Sequence, residues 1–200
     1  MNEYINEKFN TIVLASASPR RKDILREAGL EPLIIKPECD ETLPLGIEMQ
    51  DAVMFLALKK ALWVEHFLCT QAFLYDAPLI IAADTVVYCN EIIGKPIDKE
   101  DAYRILSMLR AREHFVATGV ALIDPQSGLK RAFCEVTKVF FKDYTEEALL
   151  AYIDTEEPYD KAGGYAIQET FSKYINRIEG DLHNVIGLPL RRLLAETNKL

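Results

Sequence analysis

Residues 78–88 read PLIIAADTVVY, an apolar run interrupted by one carboxylate. A run this short and this apolar reads as a strand buried in a sheet, and it cannot span a membrane. Asp84 therefore lies inside or at the end of a buried strand. A bare carboxylate there is costly unless it is paired, hydrogen-bonded or bound to a metal. Two readings stay open: a strand-end Asp that caps a neighbouring loop, or a catalytic or metal-binding group.

The segments around this strand alternate. Residues 11–16 read as a second buried strand. A helix follows over 19–28, with Ser18 as N-cap, Pro19 at the first helical position and Gly29 as the stop. LIIK is a short strand leading into the turn-rich PECDETLPLG. Residues 50–68 form a helix that is apolar nearly all round and is expected to be buried. DKEDAYRILSMLR is a helix with Asp98 and Asp101 placed as a capping box. HFVATGVALID and RAFCEVTKVFFKDY flank PQSGLK as a β-hairpin, Thr145 caps a further helix, and the last helix begins near Pro189. Strands alternating with helices, plus one hairpin, predict a mixed α/β fold. There is no repeat, low-complexity segment or linker, so 200 residues make one domain or two lobes sharing a sheet.

A net charge of −8 argues against a nucleic-acid or acidic-membrane partner. It leaves room for a small anionic ligand, because a local cation cluster governs the field within a Debye length of about 8 Å. Cys39, Cys69, Cys89 and Cys134 contain no CxxC pair and read as reduced thiols of a cytoplasmic protein. The polar, acidic MNEYINEKFN is not a signal peptide.

Five further places invite a functional account beside the structural one. Arg20 and Arg21 fill the first turn of a helix, where the dipole disfavours cations by roughly 0.3–1 kcal/mol each. The same helix end offers N–H groups to an anion, and two guanidinium groups add bidentate phosphate contacts. In CDET, Asp40 and Glu41 are either solvated loop carboxylates or, if Glu41 meets Asp84, a pair of hard oxygen ligands suited to Mg²⁺ or Mn²⁺. Lys60 lies among apolar neighbours at helical spacing, and snorkelling past a core is its default explanation. Lys95 is presented from the constrained turn IIGKPID, which fails the Walker A pattern at Cys89 and Pro96. In YDKAGGYAIQ the paired glycines form either a simple turn or a close approach to a ligand, with Gln168 able to read a base edge. His66, His114 and His183 show no triad or ligand spacing and read as structural.

LASASPRR, DET, LKKA, ADTVV, GKP, RxHxVxTGV, EPxDKAGGYAIQ and NVIGLPL follow one another in an order that resembles the Maf family. These nucleoside triphosphate pyrophosphatases were once known as septum-formation inhibitors, and the resemblance runs from about residue 11 to 195. It implies an elongated α/β fold of the inosine-triphosphate-pyrophosphatase type: a mixed sheet flanked by helices, two lobes around one deep cleft within residues 1–200, and often a homodimer. It implies hydrolysis of a nucleoside triphosphate to the monophosphate and pyrophosphate, with a divalent metal cation, Mg²⁺ or Mn²⁺, as cofactor. Asp84 matches the family's proton acceptor; Arg20, Thr85 and Gln168 match positions tied to substrate choice; Arg21, Glu41, Lys60 and Lys95 match the other charged positions. Asp84 and Glu41 are the implied metal ligands. DKAGGYAIQ is similar to the branch acting on dTTP and UTP, including modified uridine nucleotides. The alternatives are a pyrophosphatase for 7-methyl-GTP or non-standard purine nucleotides, and a nucleotide-binding regulator of cell division with little turnover. The chain departs from the family pattern at Ala111, Ala166 and Glu169, where glycines are common, and at DLH before Asn184.

Overall fold

A computed structural model describes residues 3–70 and 76–200. Its elements run α1 (Glu3–Lys8), β1 (Thr11–Ala15), α2 (Pro19–Glu27), β2 (Pro32–Ile34), α3 (Met49–Thr70), β3 (Pro78–Tyr88) and β4 (Ile92–Ile93). There follow α4 (Lys99–Leu109), β5 (Glu113–Asp124), β6 (Leu129–Phe141), α5 (Glu146–Ile153), β7 (Ile175–Glu179), α6 (Leu182–Ile186) and α7 (Leu190–Thr197). The seven strands form one mixed sheet in the order β2-β1-β3-β5-β6-β7, with β4 paired antiparallel to β3. This is the mixed α/β fold expected from the alternation. Helix α1, strand β7 and the single-turn α6 are too short or too polar to stand out by periodicity.

The chain divides into two compact units. The first holds the described residues up to Asp84 together with Thr118–Glu135 and Gly187–Leu200; the second holds Thr85–Ala117 and Val136–Ile186. In the first, β1 pairs parallel with β2 and with β3, Ala15 opposite Ala82. Helix α3 covers these strands through Ala57, Ala61 and Val64 against Val13, Ala15, Ile80 and Ala82. It also lies very close to β5: a Cβ at Gly119 would fall 2.3 Å from the Val53 carbonyl carbon, so only glycine admits the helix. The expectation that α3 is buried all round is not met. Its buried residues are confined to one face, with Phe55 and Leu62 exposed at 39% and 40%. A helix packed on one side of a sheet has only one face to bury, whatever its composition.

The second unit is built around aromatic rings. Phe141, Tyr144, Tyr152, Tyr165 and Phe171 share a core with Leu106, Leu109 and Val87. Most ring pairs meet edge to face; Tyr152 and Phe171 stack at 4.3 Å. Local signals hold here as read: Asp98 Oδ1 accepts from the Asp101 N–H at 2.8 Å, and Thr145 Oγ1 from the Ala148 N–H at 3.2 Å. The capping box is displaced by one residue, because Asp101 Oδ2 accepts from the Ile97 N–H, the residue before the cap.

Candidate active site

The first-unit site forms at the carboxyl end of β1, where its parallel pairing with β3 stops at Ala15 opposite Ala82 and β3 runs on through Asp84; ligands of open α/β sheets usually sit at such strand ends. Strand β1 ends in Ala15 and is followed by Ser16, and helix α2 begins three residues later. Ser18 occupies the N-cap with extended backbone, yet its side chain makes no cap hydrogen bond, which corrects the sequence expectation. The organising hydroxyl is that of Ser16, which is buried and therefore needs partners. Its Oγ accepts from the Ser18 N–H at 3.1 Å and from Arg21 Nη1 at 3.2 Å. Helix α2 ends as predicted: Gly29 N–H donates to the Arg26 carbonyl and Leu30 N–H to the Leu25 carbonyl, a Schellman stop.

Arg21 is turned inward. Its Nε donates to the Gly187 carbonyl at 2.8 Å. Burial pulls its pKa below the ordinary guanidinium value, the carboxylates of Asp84 and Glu41 oppose that shift, and Arg20 adds to it. Arg20, Arg21, Glu41 and Asp84 thus share one electrostatic neighbourhood, with no acidic residue in the first turn of α2 to offset the arginines locally.

Lys60 joins the two carboxylates. Its Nζ lies 2.6 Å from Asp84 Oδ1 and 3.1 Å from Glu41 Oε2. The snorkelling explanation is therefore replaced by a buried ion pair: the lysine is 8% exposed and Asp84 9%. The preceding pair is parallel but more superficial, with Lys59 Nζ 3.3 Å from Asp40 Oδ2. Asp40 also organises its own loop. The Thr42 N–H and hydroxyl both donate to Asp40 Oδ1, at 3.0 and 2.6 Å, and chiefly these bonds pull the Asp40 pKa down to about 2. Adjacent acids on one loop thus meet adjacent lysines on one helix. Only the Glu41–Lys60 half leads to Asp84.

The remaining predicted residues belong to the second unit. Thr85 follows Asp84 on β3 and is half-buried. Lys95 is exposed, on a turn anchored by buried Ile93 and Pro96. Gln168 is exposed on a turn between two buried rings, Tyr165 and Phe171. Across the base of that turn Lys161 Nζ meets Glu169 Oε2 at 2.8 Å. His114 is structural, as read: fully buried, with Nε2 2.6 Å from the Tyr165 hydroxyl and a pKa lowered to about 4 by desolvation. Sequence reasoning missed Ser16, Gly187, Lys161 and Tyr165 as partners. Each lies inside a quoted run, but a hydroxyl or carbonyl contact across the fold leaves no local signal.

The Maf-like protein family matches residues 11–200. The chain belongs to the Maf family. Among Maf relatives, the dTTP/UTP pyrophosphatase of Acetivibrio thermocellus is 43% identical over 182 residues, 91% of each chain. That of a Geobacillus species is 44% identical over 190 residues, covering 94% of this chain and 97% of the relative. The Staphylococcus aureus Ham1 protein has the same fold, with a TM-score of 0.51 at 13% identity over 94% of this chain and 99% of that one. Two departures of this Maf chain now have a physical reading. Ala111 stands at φ +54°, the left-handed region that a glycine would occupy without strain. Glu169, the extra acid beside Gln168, is balanced by buried Lys161.

Among the described residues no helix is long and apolar enough to cross a membrane.

Proposed function

We propose that the chain is a nucleoside triphosphate pyrophosphatase acting on dTTP and UTP, with Asp84 as the proton acceptor. The observation that carries the reading is the Lys60 bridge between Asp84 and Glu41, set beside Arg20 and Arg21 of the helix that follows β1. Lys60 holds Asp84 in place beside a cationic surface. A triphosphate brings close to four negative charges, which Arg20, Arg21, Lys60 and Lys95 would offset. Asp84 would accept a proton from water attacking the α-phosphorus, and the same cations would stabilise the pyrophosphate as its charge develops. Gln168, carrying both a donor and an acceptor, complements the carbonyl and N–H edge that thymine and uracil share. The A. thermocellus and Geobacillus relatives, named for these two nucleotides, support the pyrimidine choice.

A divalent cation fits this donor set. Among the described residues no three His, Cys, Asp or Glu side chains converge, but Mg²⁺ is commonly held by one or two carboxylates plus substrate phosphates. Glu41 and Asp84 would hold it, in place of their shared contact with Lys60. When bound it would neutralise phosphate charge and polarise the phosphoryl oxygens.

The test is pyrophosphate release from dTTP, UTP, CTP, GTP and 7-methyl-GTP with Mg²⁺ or Mn²⁺, alongside Asp84→Asn. Selective cleavage of dTTP and UTP is expected, with kcat lowered at least about 10²-fold in the folded variant. Near-normal turnover by Asp84→Asn removes its role as base. Preference for 7-methyl-GTP or GTP overturns the pyrimidine reading, and tight nucleotide binding with no pyrophosphate from any of them overturns the enzyme reading.

A further inference from the structure

Lys95 and Gln168 are both exposed side chains on turns. Their backbones, however, are joined. The Gly163 N–H donates to the Gly94 carbonyl at 2.9 Å, the residue immediately before Lys95. The next glycine sits against the residue immediately after it: a Cβ at Gly164 would lie 3.2 Å from Pro96 Cγ. Both glycines have φ +72°, and a Cβ at Gly163 would fall 2.6 Å from Val87 Cγ2 on β3. A residue with a side chain at 163 would therefore be strained in its backbone and would collide with the strand. Gly94 differs, because a Cβ there would meet nothing within 4 Å; what it supplies is its carbonyl.

From this joint to Gln168 the chain has little freedom. Tyr165, directly after the glycines, is 5% exposed and hydrogen-bonded to fully buried His114, whose ring also meets Phe141 edge to face at 4.9 Å. Beyond Gln168, Glu169 is ion-paired to Lys161 and Phe171 is stacked on Tyr152. The turn bearing Gln168 is thus tied down on both sides, and its near side is tied to the turn bearing Lys95.

We propose that the Gly163–Gly164 turn is a positioning element that couples Lys95 to Gln168, so that affinity for the triphosphate and choice of base are set by one backbone joint. The proposal rests on the site reading above, in which Lys95 meets phosphate and Gln168 meets the base. Moving the turn displaces both side chains together, and a displacement of about 1 Å is enough to lose on the order of 10²-fold where geometry matters.

The experiment is a set of double-mutant cycles read in KM, kcat and the dTTP-to-CTP preference, with folded protein verified by circular dichroism. Gly163→Ala is expected to raise the KM for dTTP and to lower the preference, each by about tenfold, while kcat changes by less than about threefold. Gly164→Ala, whose added Cβ would lie 3.2 Å from Pro96 Cγ rather than 2.6 Å from a strand side chain, serves if Gly163→Ala does not fold. Val87→Ala added to Gly163→Ala is expected to recover part of both losses. In a Gln168→Ala background the turn variant should have no further effect on preference, and in a Lys95→Ala background no further effect on KM. A merely structural glycine would instead lower kcat, leave KM and preference alone, and act additively with both, which overturns the proposal. If Gln168→Ala and Lys95→Ala by themselves change neither quantity, the site reading fails and the joint falls with it. If they do change them while both glycine variants change neither, the joint alone is wrong.

Discussion

Around Asp84 the holding is done by charge: a buried lysine bridges two carboxylates, and an inward arginine leans on a serine and a carbonyl. Between Lys161 and Phe171 it is done chiefly by shape: glycine backbone, ring edges and a buried imidazole, with the Lys161–Glu169 ion pair across the base. Under the proposed function the first region would meet a polyphosphate and the second a base. A polyphosphate is recognised by charge, and cations that already face carboxylates can exchange them for phosphate oxygens with little rearrangement. A base is recognised by the placing of one amide, which charge cannot specify but a rigid turn can. Electrostatic holding is therefore expected to fail when a charge is removed, and packed holding when a proton or a methyl group is added.

The largest effect is expected at Lys60. Lys60→Met leaves Asp84 buried without its partner, a loss of about 3–5 kcal/mol of folding stability at neutral pH measurable by urea unfolding. Combining it with Asp84→Asn should recover part of that loss, since the buried carboxylate charge goes with its partner while Arg21 keeps only Glu41 as a facing acid; an equally unstable double variant would show that Lys60 acts through packing. Next comes acid sensitivity in the second unit. His114 is neutral when folded, with its pKa lowered from 6.5 to about 4 by burial. Between those values the unfolded chain binds the proton and the folded chain does not, so stability falls as the pH drops through this window. The decrement is on the order of 3 kcal/mol, complete once the pH is below about 4. His114→Phe should lack this slope, and an unchanged slope in that variant would assign the acid sensitivity to other groups. The smallest effect is expected at Ala111. Ala111→Gly relieves its left-handed backbone at some entropic cost and should stabilise by up to about 1 kcal/mol, seen as a small rise in Tm. A fall in Tm would mean that positive φ is carried there without strain.

Much of the frame of both units was legible because its signals are local. The apolar run of β3, the Pro19 start and the Gly29 stop of α2, and the caps at Asp98 and Thr145 each lie within a few residues of what they control. The same holds for the oddity of Arg20 and Arg21, which is visible as a conflict with their own helix. Lys60 shows where this reading stops. Its sequence neighbours are as apolar as those of core residues, and nothing nearby distinguishes it from Lys59. Only the approach of β3 and the 39–42 loop to the same face of α3 decides that one lysine meets Asp40 and the next meets both Glu41 and Asp84.

By itself, then, the sequence determined the alternation of strands and helices, the burial of a carboxylate in β3 and, through its ordered motifs, the family. The tertiary structure decided that α3 buries one face, that Ser16 rather than Ser18 organises the start of α2, and that the double glycine is fastened to the turn of Lys95. The reason is the range of the interactions. Helix caps and hydrophobic periodicity act over a few residues, while ion pairs, close backbone approaches and ring contacts depend on segments that only the folded chain brings together.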